Sequence, residues 1–479
     1  MISPTVRQTS LFYLAFAHQA ALIKDDLLDP IDALLDDPVL VELVRQALVG
    51  RSPRSLTMGR GTVAPDRLLR CCALKHLKGW SLRELERELR GSLVYRRFTR
   101  FDEAPIPDFS TFCRTFSSLG PAVSHDIHQR VVALAQQARV APGRKLRVDT
   151  TVVESNVHHP ADSTLLQDGI RVLTRAVKCI AAECVSGTVN IVDHARSAKW
   201  RVLEIHRAAR ALTEAGRARL TDGYRKLVDL TRNVVAKAEQ VTQDLSSGAA
   251  PIVGAVVPVL AAEAAICHYA PLVQRVIAQT EARVFGGNTH VPGKVLSLFE
   301  EHTVAIRKGK AHKPTEFGRL VRLDEVEHGI VSGYHVQEGN PTDCDAWLPA
   351  LDNHAATFGR APRMATGDRG FFSAKNEHDA KERGVAQVVL PARGPLSQAR
   401  TVLQKQRWFR RALRWRGGIE ARIATLKHRF GMVRAHYKGD WGFQRWVGWS
   451  VITNNLVAIA RVQSRRQAKR DAAKNTSAH

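Results

Sequence analysis

Residues 147–155 read Arg-Val-Asp-Thr-Thr-Val-Val-Glu-Ser. Five of the nine are β-branched (Val148, Thr150, Thr151, Val152 and Val153), which stiffens χ1 and favours a pleated strand. A carboxylate, Asp149, sits inside this predicted strand. Downstream, residues 163–294 return to a helical pattern rich in Ala, Arg and Leu. Strand-like sequence resumes near Arg319, so the helical stretch reads as an insertion into a sheet. Leu320–Glu325 and Gly329–Gln337 then predict two antiparallel strands across a short turn, and Asn340-Pro341-Thr342 reads as a further turn. A helix over Asp345–Thr357 follows, then a short strand over Pro362–Gly367 that leads into Asp368. A helix to Arg383 and a strand over Val385–Leu390 complete the pattern. This alternation is that of an α/β layer architecture.

Upstream of the strand, the first 145 residues read as all-helical. Asp66–Lys78 carries Leu68, Leu69, Cys72, Ala73 and Leu77 at helical spacing, and Gly79 ends it. Ser81-Leu82-Arg83-Glu84 is a capping box that opens a helix through about Arg90. Asp108 caps a third helix, Phe109–Ser118, after the breaks at Pro105 and Pro107. Short helices joined by tight glycine turns are compatible with a helix-turn-helix DNA reader, with Arg83, Arg87, Arg90, Arg96 and Arg97 as candidate phosphate contacts. A helical bundle with a solvated basic face has the same pattern.

The 479 residues suggest two or three domains. The 71 Lys and Arg against 46 Asp and Glu leave +25, a balance that a polyanion such as nucleic acid relieves through counterion release. The charge is concentrated: Pro391–Lys438 holds thirteen Lys and Arg and a single acid, Glu420. The seven cysteines are odd in number and show no Cys-x2-Cys spacing, which argues against a disulfide framework or a structural zinc site and suits a reducing cytoplasm. Leu11–Ile23 is apolar but lacks a basic leader, so no targeting segment is expected. The uncharged run Leu245–Ala262 contains Gly248, Pro251, Gly254 and Pro258 and reads as a loop between helices rather than a membrane span.

Three carboxylates stand out by position. Asp149 lies on the first strand, Asp368 at the carboxyl end of a later one, and Glu420 in a helix within the basic segment. Open α/β sheets place their sites at strand carboxyl ends. Oxygen ligands of this kind suit two Mg²⁺ ions, about 3.5–4 Å apart, serving phosphodiester chemistry. Arg416, Glu420 and Lys427 project at about −40°, 0° and −20° on a helix turning ~100° per residue, so all three share a face. The Arg416–Glu420 spacing is also that of an ordinary i,i+4 ion pair. Gly417 and Gly418 disfavour helix, so the helix is expected to begin near Gly418 with Arg416 on the preceding loop. Glu154, Asp162, Asp343 and Asp345 compete as a fourth carboxylate, although Asp343 also suits a helix cap. The adjacent His158 and His159 read as a loop feature, since Mg²⁺ prefers oxygen. Trp441, Trp446 and Trp449 are expected to pack a last helix on the core.

The spacing Arg416-x3-Glu420-x6-Lys427 resembles the Tyr-x2-Arg-x3-Glu-x6-Lys signature of a large group of bacterial DDE-type insertion-sequence transposases, with Leu413 standing at the Tyr position. Further matches lie at Leu68-Leu69 through His76-Leu77-Lys78-Gly79-Trp80-Ser81 to Arg96-Arg97-Phe98, at Asp149 through Asn156, at Lys313-Pro314-Thr315-Glu316-Phe317-Gly318 and at Asp368-Arg369-Gly370-Phe371-Phe372-Ser373. Together they span most of residues 60–460, and the long insertion after the first Asp looks like one subgroup of the family.

The resemblance implies an α/β RNase H-like catalytic core over 141–460, interrupted by an all-helical insertion over about 163–295. It also implies a preceding all-α DNA-binding domain over 1–140, and residues 461–479 are expected to be a basic disordered tail. It implies Asp149, Asp368 and Glu420 as catalytic, metal-binding residues for two Mg²⁺, with Mn²⁺ able to substitute. Arg416 and Lys427 would contact transposon-end phosphates, and Arg369 and Arg422 join them as candidate DNA contacts. The expected partners are double-stranded DNA, both terminal inverted repeats and target, and further copies of the chain in a homodimer or larger synaptic assembly. The expected location is the cytoplasm, on the nucleoid when bound, with no membrane. The expected activity is Mg²⁺-dependent cleavage at transposon ends and strand transfer by the 3′-hydroxyl. A catalytically inactive DNA-binding repressor and a two-metal nuclease are the alternatives.

Overall fold

The computed structural model describes residues 25–51, 62–102, 104–211, 213–307 and 314–476. The Leu11–Ile23 run and Lys313 lie outside the described residues. Among the described residues seven helices come first: α1 Leu28–Leu35, α2 Pro38–Val49, α3 Pro65–Lys78, α4 Leu82–Gly91, α5 Leu93–Thr99, α6 Phe109–Ser117 and α7 Pro121–Gln137. Their ends obey local chemistry. The Ser81 hydroxyl accepts from the Glu84 N–H while Glu84 accepts from the Ser81 N–H, a complete capping box. The Asp108 carboxylate accepts from the Thr111 N–H, and Gly79 closes α3 at φ +70°.

β1 spans Lys145–Glu154. Four helices follow, α8 Asp162–Glu183, α9 Ala195–Ala208, α10 Glu214–Ser246 and α11 Val256–Val284. Then come β2 Val304–Ile306, β3 Glu316–Glu325, β4 Val331–Val336, α12 Asp343–Phe358, β5 Met364–Thr366, α13 Ala374–Glu382 and β6 Gln387–Val389. Three basic helices, α14 Gln398–Lys405, α15 Arg407–Arg416 and α16 Gly418–Arg429, precede the long α17, Gly439–Thr476. The sheet order is β2-β3-β1-β5-β6, with β4 paired to β3. β1 runs antiparallel to β3 and parallel to β5, and β5 runs parallel to β6. The sheet is therefore mixed; β1, β3, β4, β5 and β6 fall where the sequence pattern set them, and the short edge strand β2 was not anticipated.

The chain folds into two compact units, one of Met1–Asn156 with Ile306–His479 and one of Val157–Ala305. The first joins the N-terminal helices and the sheet through one hydrophobic core. Asn455 of α17 bonds both the N–H and the C=O of Val331 on β4, at 2.9 and 2.8 Å. His76 Nε2 of α3 lies 3.2 Å from the Tyr437 hydroxyl, and the Lys75 ammonium stands 4.7 Å over the Trp446 ring. The helical N-terminal stretch is thus not walled off at residue 140; α17 closes it onto the sheet. The second unit is all-helical with a separate core, which includes Leu166, Ile170, Leu173, Leu227, Val235 and Val273.

Two expectations are corrected. The run Leu245–Ala262 is a loop only between Ser246 and Val256; Pro258 falls in the first turn of α11, where a missing N–H costs nothing. α11 is long and apolar enough to cross a membrane by length and composition, and its inner side (Val259, Ile266, Val273 and Val276) is buried in the core of the helical unit. The second correction is the basic tail. α17 continues to Thr476, because 461–476 is rich in Ala, Arg, Gln and Lys and has no Gly or Pro to stop it.

Candidate active site

Alternation along β1 puts Arg147 and Asp149 on one face of the sheet and Thr150 on the other. The parallel register pairs Lys145 with Met364 and Arg147 with Thr366. The pairing ends there, and Asp149 and Asp368 each follow two residues later, at the same end of the two parallel strands. Asp149 is largely sheltered, and its Oδ1 accepts from the Thr150 N–H at 2.8 Å. Asp368 Oδ1 accepts from the Gly370 N–H at 2.7 Å, which fixes the turn after β5.

Glu420 arrives from the helical layer. α15 ends at Arg416 and α16 starts at Gly418, so the helix begins where expected but Arg416 closes the preceding helix instead of lying on a loop, with the break at Gly417 between it and Glu420. The Arg416 guanidinium nevertheless lies 3.5 Å from both Asp149 Oδ2 and Glu420 Oε1 and bridges them. Glu420 is the open member, 69% exposed against 14% for Asp149. In the first turn of α16 it also faces the positive end of the helix dipole. Lys427 sits half-buried near the end of the same helix.

A cavity of about 410 Å³ adjoins these groups, lined by Asp368, Arg369, Pro391, Gln404, Leu413 and Arg416. Leu413, at the signature's Tyr position, therefore does reach the site. Gln404 Nε2 and Arg416 Nε are buried donors with no hydrogen-bond partner. Gln404 was not anticipated; only its place in the basic segment hinted at it.

Asp343 also belongs here. It opens α12, accepts from the Thr150 hydroxyl at 2.7 Å, and lies across Gly370 from Asp368. A side chain at Gly370 would meet the Asp343 carboxylate at 2.6 Å and the Asp368 carboxylate at 2.8 Å. The helix cap is supplied instead by Thr342, paired with Asp345. The other competitors lie elsewhere: Asp162 binds Gln279 and Arg283, and Glu154 binds Arg434. His158 is exposed and 3.7 Å from Asp168.

The proposed DNA contacts divide. Arg369 is exposed at the cavity, Arg87 is 71% exposed beside Glu88, and Arg83 stands 4.3 Å over the exposed Phe109 ring. Arg97 faces Asp29 at 3.5 Å. Two are corrected. Arg96 donates to the carbonyls of Asp102 and Ala104, at 2.5 and 2.9 Å, and so braces the turn after α5. Arg422 points inward to Glu325 (3.2 Å) and Asn454 (2.8 Å). Among the three tryptophans, Trp446 and Trp449 are buried as expected but Trp441 is 73% exposed, because it sits on the outer side of the first turn of α17.

Comparison with known families bears on this geometry. Residues 16–118 match a transposase domain (DUF772), and residues 320–456 match the transposase DDE domain. The chain belongs to the DDE-type insertion-sequence transposases. No curated protein and no solved structure matches it. The DDE match runs from within β3 to the middle of α17, and so covers Asp368, Arg416 and Glu420; Asp149 lies outside both matched segments. No cluster of three His, Cys, Asp or Glu side chains drawn tightly around one point occurs among the described residues. In this transposase the carboxylates converge in pairs, Asp343 with Asp368 and Asp149 with Glu420 through Arg416. Their donor chemistry fits a hard divalent cation, since every convergent acid offers oxygen, and the orphaned donors of Gln404 and Arg416 suit phosphate oxygens beside it.

Proposed function

We propose that this transposase cleaves the DNA phosphodiester at its element's ends and joins the released 3′-hydroxyl to target DNA, on an RNase H-like core. The observation that carries the reading is the Arg416 bridge from Asp149 to Glu420, supported by the parallel pairing of β1 and β5, past whose common end Asp149 and Asp368 both lie. Asp149, Asp368 and Glu420 would hold two Mg²⁺, which supply Lewis-acid stabilisation of the attacking and leaving oxygens. Water displaces the 3′-oxygen from phosphorus at the element's end, and the resulting 3′-hydroxyl later displaces a target 3′-oxygen in line. The chain's own work is positioning and charge. Arg416, Gln404 Nε2 and Arg369 line the cavity and receive phosphate oxygens. Lys427 extends the basic track along α16, and Arg83 and Arg87 on α4 extend it to the N-terminal helices. Two ends are cut together, so the working form is a dimer or larger assembly on DNA.

The test is cleavage and joining by purified protein on labelled duplexes carrying the element's own ends, in Mg²⁺, Mn²⁺ and EDTA, beside Asp149→Ala. The expected result is metal-dependent 3′-end cleavage with joined product, both lost in the variant. Salt-sensitive binding without cleavage under any metal identifies a repressor instead. Cleavage indifferent to the ends, without joining, identifies a nuclease.

A further inference from the structure

Beneath the bridge lies a buried network that the catalytic reading does not use. Glu325, at the end of β3, is fully buried. Arg147 of β1 grips it bidentately, Nε to Oε2 at 2.8 Å and Nη2 to Oε1 at 2.6 Å. The Arg422 Nε of α16 binds the same Oε1 at 3.2 Å. The third Arg147 nitrogen, Nη1, donates to the Trp415 carbonyl, and its guanidinium stacks 4.7 Å over the Trp415 ring. Trp415 directly precedes Arg416.

Both arginines enter through glycines. A β-carbon at Gly418 would run into Arg147 Nη1, and one at Gly329 would run into the Arg422 guanidinium. Neither arginine can simply swing aside, because each is anchored on the same buried carboxylate. A bidentate arginine is the geometry for this, since its planar fork fixes direction as well as distance.

We infer that Arg147 and Glu325, with Gly418 as the matching notch, are positioning residues that set the separation of Asp149 and Glu420. Asp149 lies two residues from Arg147 on the same face of β1. The helix break at Gly417–Gly418 is held against that strand by the Arg147–Trp415 bond, and Arg422, one turn into α16, is held to the same acid. The strand carboxylate and the helix carboxylate are thereby referenced to a single buried point. This inference rests on the proposed roles of Asp149 and Glu420.

The experiment compares full-length wild type, Asp149→Ala, Arg147→Lys, Gly418→Ala and the Arg147→Lys/Gly418→Ala double variant. End binding, single-turnover cleavage rate and the Mg²⁺ concentration at half-maximal rate are measured for each. Lysine keeps the charge but cannot hold Glu325 bidentately and reach Trp415 as well. The expected result for Arg147→Lys is unchanged end binding, a cleavage rate lower by roughly 10- to 100-fold, as a shift of about 1 Å in a reacting group produces, and a raised Mg²⁺ requirement. Gly418→Ala is expected to do the same alone and to cost less in the lysine background, because the clashing nitrogen has gone. A role in stability alone would lower the active fraction and the melting temperature and leave the Mg²⁺ requirement of the surviving enzyme unchanged. Arg147→Lys with wild-type rate and Mg²⁺ dependence, while Asp149→Ala is dead, overturns the inference. Full cleavage by Asp149→Ala overturns the reading of the site itself, a separate outcome.

Discussion

Asp343 shows what a single side chain contributes when its neighbours are fixed. Its carboxylate holds the Thr150 hydroxyl at 2.7 Å and faces Asp368 across Gly370, so it acts on the strand end that carries Asp149 and on the turn that carries Asp368. Removing its charge while keeping its shape weakens its hold on the Thr150 hydroxyl, since a neutral amide oxygen is the poorer acceptor, and takes an anionic oxygen from beside Asp368. Asp343→Asn is expected to lower cleavage by about tenfold or more, the usual effect of removing an orienting partner beside a metal-binding group, with end binding intact. Thr150→Val, which removes only the hydrogen bond, should give a smaller loss in the same direction. Wild-type cleavage in Asp343→Asn, measured at limiting Mg²⁺, would leave Asp343 as a helix residue and nothing more. Residues of this kind explain where the sequence was readable. Asp149, Asp368 and Glu420 stand out as candidates because an acid in a β-branched run, at a strand end or in a basic stretch is anomalous by itself. Arg147, Glu325 and Gln404 were not, since a buried Arg–Glu pair depends on which strands become neighbours, and β1 and β3 are 178 residues apart at that pair.

At the scale of elements, the inner faces of α7 and α12 each carry a histidine against a backbone carbonyl of the sheet region. His128 Nε2 lies 2.8 Å from the Val331 carbonyl and His354 Nε2 3.1 Å from that of Gly143. Burial pushes both imidazoles down to about 4, because the charged form loses its water. His76, on the inner face of α3, is pushed down further by burial and by the nearby Lys75 and Arg445 charges. The unfolded chain titrates these groups near 6.5. As pH falls from about 6.5 toward 4 the unfolded state therefore binds protons that the folded state refuses, and stability drops by up to roughly 3 kcal/mol for each of His128 and His354. Above pH 6.5 both states are neutral and the effect vanishes. Thermal melts from pH 7.5 to 4.5 should show a steep loss below 6.5. His128→Gln, whose amide keeps a donor for Val331, should flatten that loss while lowering stability somewhat at pH 7.5. An unchanged slope in the variant would remove His128 from the account. Most elements were legible from the sequence because capping and period are local: the Ser81 box, Asp108 and Gly79 act within four residues. The end of α17 was misjudged because a solvated basic helix and a basic coil share a composition. The loop at Leu245–Ala262 was drawn too long because proline in a first helical turn breaks nothing.

For the whole molecule the informative quantity is where the charge lies. Residues 157–305 hold 17 Lys and Arg against 14 Asp and Glu, a net of +3, so +22 of the total +25 belongs to the unit that carries the sheet and the N-terminal helices. The inserted unit was foreseeable as helical and as an insertion, since its period differs from the strands on either side. Its independence was not, because a closed core is a property of packing. In the structure Leu166, Ile170, Leu173, Leu227, Val235 and Val273 are buried against one another within that unit. Phosphate neutralisation makes binding constants fall with salt in proportion to the number of cations engaged. A near-neutral unit should therefore contribute little to the salt-dependent affinity, whatever it contributes to architecture. Residues 157–305 expressed alone are expected to be helical by circular dichroism and to melt cooperatively. They should bind end-bearing duplex far more weakly than the full chain, with a much shallower slope of log K against log salt. A fragment that matched the full chain in affinity and salt slope would move the DNA-binding surface into the insertion, and the track from α4 through α16 would lose its claim to it. A fragment that failed to melt cooperatively would show that its core needs the rest of the chain, and that the division into two units is one of contacts rather than of stability.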